Sequence, residues 1–330
     1  MRKVAVWALR PGMEVARRIY DNKNQLLLNA GVKLESGYIR NLKKLNIPAI
    51  YVVNPLISDI EVKDVLGDET RYRAEVLAQK IITASLDRPR EMRLSIPRLF
   101  SFKEELNEVV DEMIDQLLTC RELIINLSDI RTADNYTFAH SANVAVLSLM
   151  SATAMGLSRS ELRVIGLGSF LHDLGKTMID PALLNKRGPL LPEERKLINK
   201  HPAHGYELVR QQPYIDHPAA KIVYQHHERM NGKGYPEGLA GTDIHVYSRI
   251  CAIADVYDAL VSDRPYRPAY PPHRALEIFR LSLGGYDPEI FQLFSQHVAA
   301  YPVGTLVGLN CGVIGIVTEN YAGYPTRPRV

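Results

Sequence analysis

The stretch VIGLGSFLHDLGK, residues 164–176, predicts a buried helix that ends in two titratable side chains. Its first eight residues are almost wholly apolar, which is typical of a helix inside a core, and His172 and Asp173 follow them. An imidazole and a carboxylate are costly to bury unless something pairs with them, and a divalent cation is one natural partner. The alternative is a salt bridge between Asp173 and Lys176 at the helix end, and this pair alone favours that alternative.

Four further stretches also carry an imidazole or a carboxylate on an apolar helix. They contain His140, His201, the pair His226-His227, and Asp255. A lone aspartate in the apolar run ICAIADVY should be paired or should bind a cation, because charged groups are rarely buried otherwise. Facing helices of a bundle commonly build a metal site in this way. We therefore expect five helices to direct these groups toward one bundle interior.

The number and type of these side chains favour two metal ions. Five histidines and two aspartates exceed what one ion needs, and a bridging carboxylate would suit a pair. Imidazole and carboxylate ligands fit iron, manganese, nickel or zinc. The three cysteines are widely spaced and form no CxxC pair, which argues against a cysteine zinc site or a disulfide framework and favours a reducing cytoplasm.

The segment HHERMNGKGYPEG, residues 226–238, predicts a fixed loop next to two candidate ligands. Three glycines and one proline in this short space disfavour a helix. Because the loop begins at the paired histidines, we expect it to form a wall of the pocket. An ordinary surface turn is the alternative.

The remaining sequence predicts a mainly α fold with β structure near both ends. Residues 1–54 mix short apolar runs with one amphipathic helix, which indicates a small α+β module, and residues 305–319 suggest a β-hairpin. Another extended stretch ends at Val330, which suggests a truncated C-terminus. Helical spacing of apolar residues predicts helices at 72–85, 102–118, 135–154, 158–172, 192–211, 218–227, 248–261 and 272–283.

Charge and hydropathy exclude several classes of partner. Forty Lys and Arg against 37 Asp and Glu give a net charge of +3, which is too balanced for a general nucleic-acid binder, and we expect no DNA partner. The longest weakly polar run is too short to span a membrane, and no signal peptide is evident, so we expect a cytoplasmic protein. Residues 1–60 are basic, which indicates a solvated face or contact with an acidic partner.

The combined motifs resemble the HD-GYP family, a subgroup of the HD phosphohydrolase superfamily. The resemblance rests on His172-Asp173 with Lys176, on His226-His227-Glu228 and on Gly234-Tyr235-Pro236. It covers about residues 125–300, in which His140, His201 and Asp255 also match. The segment ahead of this region is similar to a small N-terminal domain often found before HD-GYP domains in bacteria.

The resemblance and the pattern of predicted helices and strands together predict a chain of four parts. We expect an HD-type helical bundle as the catalytic domain, preceded by a small α+β N-terminal domain and followed by a short C-terminal β extension. The expected bounds are 1–60 for the N-terminal domain, 61–124 for a helical linker region, 125–300 for the HD-GYP domain and 301–330 for the extension.

The resemblance also implies an activity, hydrolysis of cyclic di-GMP to linear pGpG and then GMP by attack of a bridging hydroxide on phosphorus. Tyr136 stands where some members have a glutamate that binds a third metal, so we expect two ions, iron or manganese, with nickel or zinc as alternatives. One ion would be held by His140, His172, Asp173 and Asp255, and the other by the bridging Asp173 with His201, His226 and His227.

Substrate contacts are expected from a few basic and aromatic side chains. Lys176 would stabilise the negative charge that builds up on the phosphoryl group or protonate the leaving group. Arg264 and Arg267 follow Asp255 at a spacing similar to the family's, and guanidinium groups bind phosphate well, although surface charge is the alternative. Tyr235 would border the substrate or merely pack the loop.

Two other functions remain open alternatives at this stage. The chain could be a non-catalytic sensor of cyclic dinucleotides, or another HD-type phosphohydrolase that acts on nucleotides, and a homodimer or a signalling partner of the N-terminal domain is also left open. Asp258 is expected to orient a ligand rather than bind metal. Asp180 and Glu228 are candidates for supporting roles only. The other histidines are interpreted as structural, and these are His204, His217, His245, His273 and His297.

Overall fold

The fold is mostly helical, with a few short strands near the two ends of the chain, as the sequence predicts. The computed structural model describes residues 2–21, 25–45, 47, 49–53, 65–86, 101–120, 123–125, 136–186, 188–262, 269–282 and 284–330. None of the helices described is both long enough and apolar enough to cross a membrane.

The N-terminal module contains two short antiparallel strand pairs and one helix. Strand β1 (Arg2–Ala5) pairs with β4 (Ala49–Val52), and β2 (Ile19–Tyr20) pairs with β3 (Leu26–Leu28). Helix α1 (Ser36–Lys44) buries Ile39 and Leu42, which lie three residues apart on one face, in the same core as residues of the strands. The module has its own apolar core, formed by Val6, Leu9, Val15, Leu28, Leu34, Ile39, Leu42, Ile47, Ile50 and Val52.

The second and larger core belongs to a helical domain, in which helix α4 (Tyr136–Ala154) is central. The residues of α4 from Ala139 to Ala152 are all buried, and the helices that begin at Asp68, Lys103, Arg159, Val246 and Pro288 all pack on it. The helices before residue 125 share this core with those after it. The helices are α2 (Asp68–Leu86), α3 (Lys103–Thr119), α4 (Tyr136–Ala154), α5 (Arg159–Leu171), α6 (Pro181–Leu184), α7 (Pro192–Ile198), α8 (His201–Val209), α9 (His217–Gln225), α10 (Val246–Val261), α11 (Pro272–Leu281) and α12 (Pro288–Gln296).

The single helix predicted over residues 192–211 is in fact two helices, α7 and α8. Pro202 has no N–H to donate, and its ring would clash with the carbonyl of Ile198 in a continuous helix. The chain therefore turns at residues 199 and 200, and His201 becomes the first residue of α8. The break turns this histidine toward the end of α5.

A glycine lets the end of α5 approach the start of α8. After α5 the chain forms a short 3-10 turn over Leu174–Met178 that runs against α8. A Cβ atom on Gly175 would lie 1.9 Å from the carbonyl oxygen of His201 and 2.4 Å from the backbone nitrogen of Gly205. Only glycine permits this contact, which brings Asp173 beside His201.

The part of the helical domain that follows α3 begins and ends at the same place. The backbone nitrogen of Ile125 donates to the carbonyl of His297 at 2.9 Å, and that of Ala299 donates to the carbonyl of Ile125 at 3.2 Å. These bonds form a parallel bridge between Ile125 and Val298. Beyond it, β5 (Leu306–Gly308) and β6 (Ile314–Ile316) form the predicted C-terminal hairpin.

Candidate metal centre

All seven side chains proposed as metal ligands meet in the interior of the helical domain. They come from α4, the ends of α5 and α9, the start of α8 and the middle of α10. Within each of two groups, the ligand atoms lie within 4.8 Å of one another. One group contains His140, His172 and Asp255, and the other contains Asp173, His201, His226 and His227.

Asp173 lies between the two groups, and its two oxygens face different histidines. Oδ2 is 3.4 Å from Nε2 of His172 and 3.6 Å from Nε2 of His140. Oδ1 is 3.3 Å from Nε2 of His201 and 3.9 Å from Nε2 of His226. A carboxylate in this position can give one oxygen to each of two cations.

Asp255 approaches the same centre from α10. Its Oδ1 lies 3.1 Å from Nε2 of His140 and 4.0 Å from Nε2 of His172. Its Oδ2 lies 3.7 Å from Nδ1 of His227. These contacts explain why an aspartate is tolerated in an otherwise apolar helix, because its carboxylate is surrounded by imidazoles rather than by apolar side chains.

Three histidines are oriented by the helix ends at which they lie. Nδ1 of His172, His201 and His226 is 2.7, 2.8 and 2.9 Å, respectively, from the carbonyl oxygen three residues earlier. Carbonyls in the last turn of a helix lack a partner within the helix, so they accept these bonds without breaking the helical ladder. Each ring therefore carries its proton on Nδ1 and presents Nε2 to the centre.

His140 lies inside α4, and a side chain from another helix orients it. Nδ1 of His140 is 2.7 Å from Oδ2 of Asp258, and the side-chain amide of Asn143 donates to Oδ1 of Asp258 at 2.8 Å. Asp258 is 1% exposed and lies on the far side of the ring from the centre. This placement agrees with an orienting role rather than a ligating one.

The electrostatics of the centre favour charged carboxylates and two neutral imidazoles, whereas a third imidazole, that of His140, holds its proton more tightly. Burial works against ionisation of Asp173, yet Lys176 and His172 hold its pKa well below the usual range. Burial likewise opposes ionisation of Asp255, whose pKa is also held well below the usual range by its histidine neighbours, His140 first. Burial and nearby positive charge lower the pKa of His226 and of His227 well below the usual range. These four groups have the protonation states that metal ligation requires. His140 is the exception: burial lowers its pKa, but hydrogen bonds to Asp255 and Asp258 outweigh it and raise the pKa to about 9, so a bound metal would have to displace a proton there.

The residues present fit a pair of divalent cations. Among the described residues, Nε2 of His172 and Oδ1 of Asp173 are buried without a hydrogen-bond partner. Buried polar atoms left in this state cost free energy, on the order of 1–3 kcal/mol each. Because both atoms point at the shared centre, cations there would satisfy them. The donor set of imidazole nitrogens and carboxylate oxygens suits iron, manganese, nickel or zinc.

The predicted substrate contacts lie partly at this centre and partly outside the described residues. Nζ of Lys176 is 2.5 Å from Oδ2 of Asp173, and its side chain is 32% exposed, so the predicted salt bridge forms at the edge of the site. The ring of Tyr235 lies 4.7 Å from that of His227, inclined by 31°. Arg264 and Arg267 fall outside the described residues, as does the side chain of Tyr136.

The loop with the Gly-Tyr-Pro motif is held by Glu228, for which the sequence predicted only a supporting role. Its buried carboxylate accepts hydrogen bonds from three consecutive backbone N–H groups, those of residues 237, 238 and 239, at 2.8, 3.2 and 3.0 Å. A Cβ on Gly234 would lie 2.4 Å from the Cα of Glu228, so the loop packs directly against its anchor. The Tyr235-Pro236 peptide bond is cis.

We expect Glu228→Gln to destabilise the protein by about 1–3 kcal/mol, because the amide offers one acceptor oxygen in place of two and puts a donor against backbone N–H groups. Urea unfolding measures the effect. The matched control is Glu237→Gln, an exposed position on the same loop, which should change the free energy of unfolding by less than about 0.5 kcal/mol. Equal stabilities for the two variants would contradict the anchoring role.

The prediction of a supporting role for Asp180 in the site was wrong. Asp180 is exposed and caps α6, a helix that carries none of the ligands. Its Oδ1 accepts from the backbone nitrogen of Ala182 at the start of α6, at 2.8 Å. His217 starts α9, as expected, and His245 caps α10 through the backbone nitrogen of Tyr247. No sequence motif pointed to Asn143, although it lies one helical turn after His140, where a partner on the same face is expected.

Comparison with known proteins identifies the family. A model of the HD domain family matches residues 124–290. The chain is 33% identical over 266 residues to the cyclic di-GMP phosphodiesterase PA4108 of Pseudomonas aeruginosa, covering 80% of this chain and 63% of that protein. It is 34% identical over 193 residues to 3'3'-cGAMP-specific phosphodiesterase 2 of Vibrio cholerae, covering 58% of this chain and 37% of that protein.

The chain belongs to the HD domain family. Within it, the His172-Asp173, His226-His227 and Gly234-Tyr235-Pro236 motifs make it a member of the HD-GYP subgroup, which confirms the resemblance. The fold is similar to that of Bd1817, an HDG"Y"P protein from Bdellovibrio bacteriovorus, with a TM-score of 0.54 and 20% identity over 88% of this chain and 97% of that one. The chain spans less than two thirds of the length of the curated relatives named here.

Proposed function

We propose that this chain is a metal-dependent phosphodiesterase that hydrolyses cyclic di-GMP to linear pGpG and then to GMP. The observation that carries the proposal is the pair of ligand groups that meet at Asp173, with one carboxylate oxygen toward each group. The similarity to phosphodiesterases of cyclic dinucleotides supports the same class of substrate.

Iron or manganese is the metal that we propose for both positions, with the ligands assigned as the family resemblance implies. His140, His172 and Asp255 would hold one ion, His201, His226 and His227 the other, and Asp173 both. Two such cations, when bound, would supply Lewis acidity to the phosphodiester and generate the nucleophile from water.

The chain's own residues would bind and orient the substrate around this centre. The ammonium group of Lys176, fixed by Asp173, can neutralise a phosphoryl oxygen or give a proton to the leaving ribose oxygen. The ring of Tyr235, beside His227, provides a flat wall for a base or ribose. Arg264 and Arg267 are proposed as further phosphate contacts on chemical grounds.

Turnover and product analysis on the purified full chain tests the proposal. Protein loaded anaerobically with Fe(II), or with Mn(II), should convert cyclic di-GMP to pGpG and then GMP on chromatography, and removing the metal with a chelator should stop both steps. An otherwise identical reaction with 3'3'-cGAMP tests the substrate. Faster hydrolysis of 3'3'-cGAMP would reject cyclic di-GMP as the preferred substrate, and tight binding without turnover by the loaded protein would favour a sensor.

A further inference from the structure

The group of ligands formed by His140, His172 and Asp255, called the first metal group below, depends on a contact that lies deeper in the fold than the ligands themselves. His140 is held by Asp258, and Asp258 receives its second hydrogen bond from the side-chain amide of Asn143. The carbonyl oxygen of that amide accepts from Nη1 of Arg71, on α2, at 3.4 Å. All four side chains are buried, with Arg71 the most exposed at 7%. A continuous chain of hydrogen bonds thus runs from α2 to a metal ligand.

We infer that Arg71 is a positioning residue for His140, and that it acts by fixing the orientation of the Asn143 amide. A guanidinium has donors only, so it selects the oxygen of the amide and directs the NH2 group toward Asp258. With the amide turned over, its oxygen would face the Asp258 carboxylate and its NH2 group would face Arg71. Both contacts would then be repulsive, and Asp258 would lose a donor.

The other ligating histidines on helix ends need no such arrangement. His172, His201 and His226 each use a backbone carbonyl three residues earlier, which moves together with the ring. The support of His140 instead comes from three side chains on three helices, α2, α4 and α10. The first metal group is therefore the one that responds to a change in how α2 packs.

Helix α2 lies outside residues 124–290, the part of the chain that matches the HD family model. It is fixed by contacts that do not involve Arg71. Oγ1 of Thr70 donates to Oε1 of Glu112, on α3, at 2.7 Å, and Nη1 of Arg73 donates to Oε2 of Glu112 at 2.7 Å. A variant at Arg71 therefore keeps an independent attachment of α2, which makes its effect on the metal site separable from folding.

Manganese binding to the metal-free full chain tests the inference, by calorimetric titration with elemental analysis. We expect Arg71→Met to weaken binding of one of the two ions about 10- to 100-fold and to leave the other unchanged. Arg71→Lys should recover part of the loss, because an ammonium group is also a donor only. The matched control is Lys80→Met, on the same helix and 48% exposed at its side chain, where loss of an exposed ion pair with Glu105 has little effect, so it should bind both ions as the wild type does.

A second variant keeps the test decisive if Arg71→Met folds poorly by circular dichroism. Asn143→Ala should weaken the same ion, and the double variant should lose no more affinity than Asn143→Ala alone, since Arg71 acts through Asn143. Unchanged affinity for both ions in Arg71→Met, an equal loss at both ions, or additive losses in the double variant would overturn the inference.

The inference rests on the proposed function only in requiring that the centre binds metal. Turnover measured on the same preparations separates the two. Selective loss of one manganese ion in Arg71→Met, in a chain that never hydrolyses cyclic di-GMP, would support the positioning role and reject the proposed activity. Normal turnover with unchanged metal affinity in Arg71→Met would reject the positioning role and support the proposed activity.

Discussion

Replacing Asp173 with alanine is expected to lower kcat/KM for cyclic di-GMP by at least about 10³-fold, because stabilisation of the transition state by metal is worth several kcal/mol and each 1.36 kcal/mol is a tenfold change. Asp173 directs one oxygen toward each ligand group, so its loss should also reduce the metal content. Elemental analysis and steady-state kinetics on the same sample check both expectations.

The control for this variant is Asp180→Asn, seven residues further along the chain. Asp180 is exposed and caps α6, and asparagine caps a helix about as well as aspartate. Its kinetics and metal content should match those of the wild type. A rate retained by Asp173→Ala after both metals are lost would contradict the mechanism itself.

Gly175→Ala is expected to be the most damaging small substitution in the described structure outside the ligands. The new Cβ would overlap the carbonyl oxygen of His201, and backbone atoms cannot rotate away as a flexible side chain can. We expect a loss of about 3 kcal/mol or more in the free energy of unfolding, at the upper end for overpacking. The shift of α8 should also weaken metal binding at the group that contains His201.

Gly37→Ala is the matched control for this change. Gly37 lies in α1, its added Cβ would meet nothing within 4 Å, and alanine is the better helix former, so stability should stay the same or rise by up to about 1 kcal/mol. Urea unfolding and calorimetric metal titration of both variants measure the difference. Wild-type stability in Gly175→Ala would show that α5 and α8 can separate without cost.

The identity of the clustered residues could be predicted from sequence because burial makes their chemistry conspicuous. Asp255 stands in an apolar helix without a local cationic partner, and His172-Asp173 ends another apolar helix, where Lys176 pairs only with the carboxylate. Their convergence follows once the helices form one bundle. The bundle was in turn predictable from helical spacing of apolar residues, which places most helix bounds within a few residues of those observed.

Other features were harder to predict, because the residue that determines each of them stands in a segment whose overall pattern indicates something else or nothing at all. The apolar spacing over residues 192–211 indicates one helix, but Pro202 breaks it, and the break is what turns His201 into the site. Glu228 was hard to assign because its partners are backbone N–H groups, which any sequence supplies.

The contribution of Arg71 could not be predicted at all from the chain in isolation. It reaches Asn143 across 72 positions of sequence, and an arginine in an amphipathic helix is normally interpreted as solvated. Only the packing of α2 on α4 shows that its guanidinium group is buried. Long-range pairing of this kind has no local pattern.

The bridge between Ile125 and Val298 has a consequence for how this part of the chain combines with other domains. Backbone hydrogen bonds join residue 125, which follows α3, to residues 297–299, which follow α12, and the side chains of Ile125 and Val298 are buried in the core. A unit whose two ends lie side by side can be inserted between unrelated domains without distortion of its interior. Such recombination during evolution would preserve the site provided that the packing of α2 on α4 is kept as well.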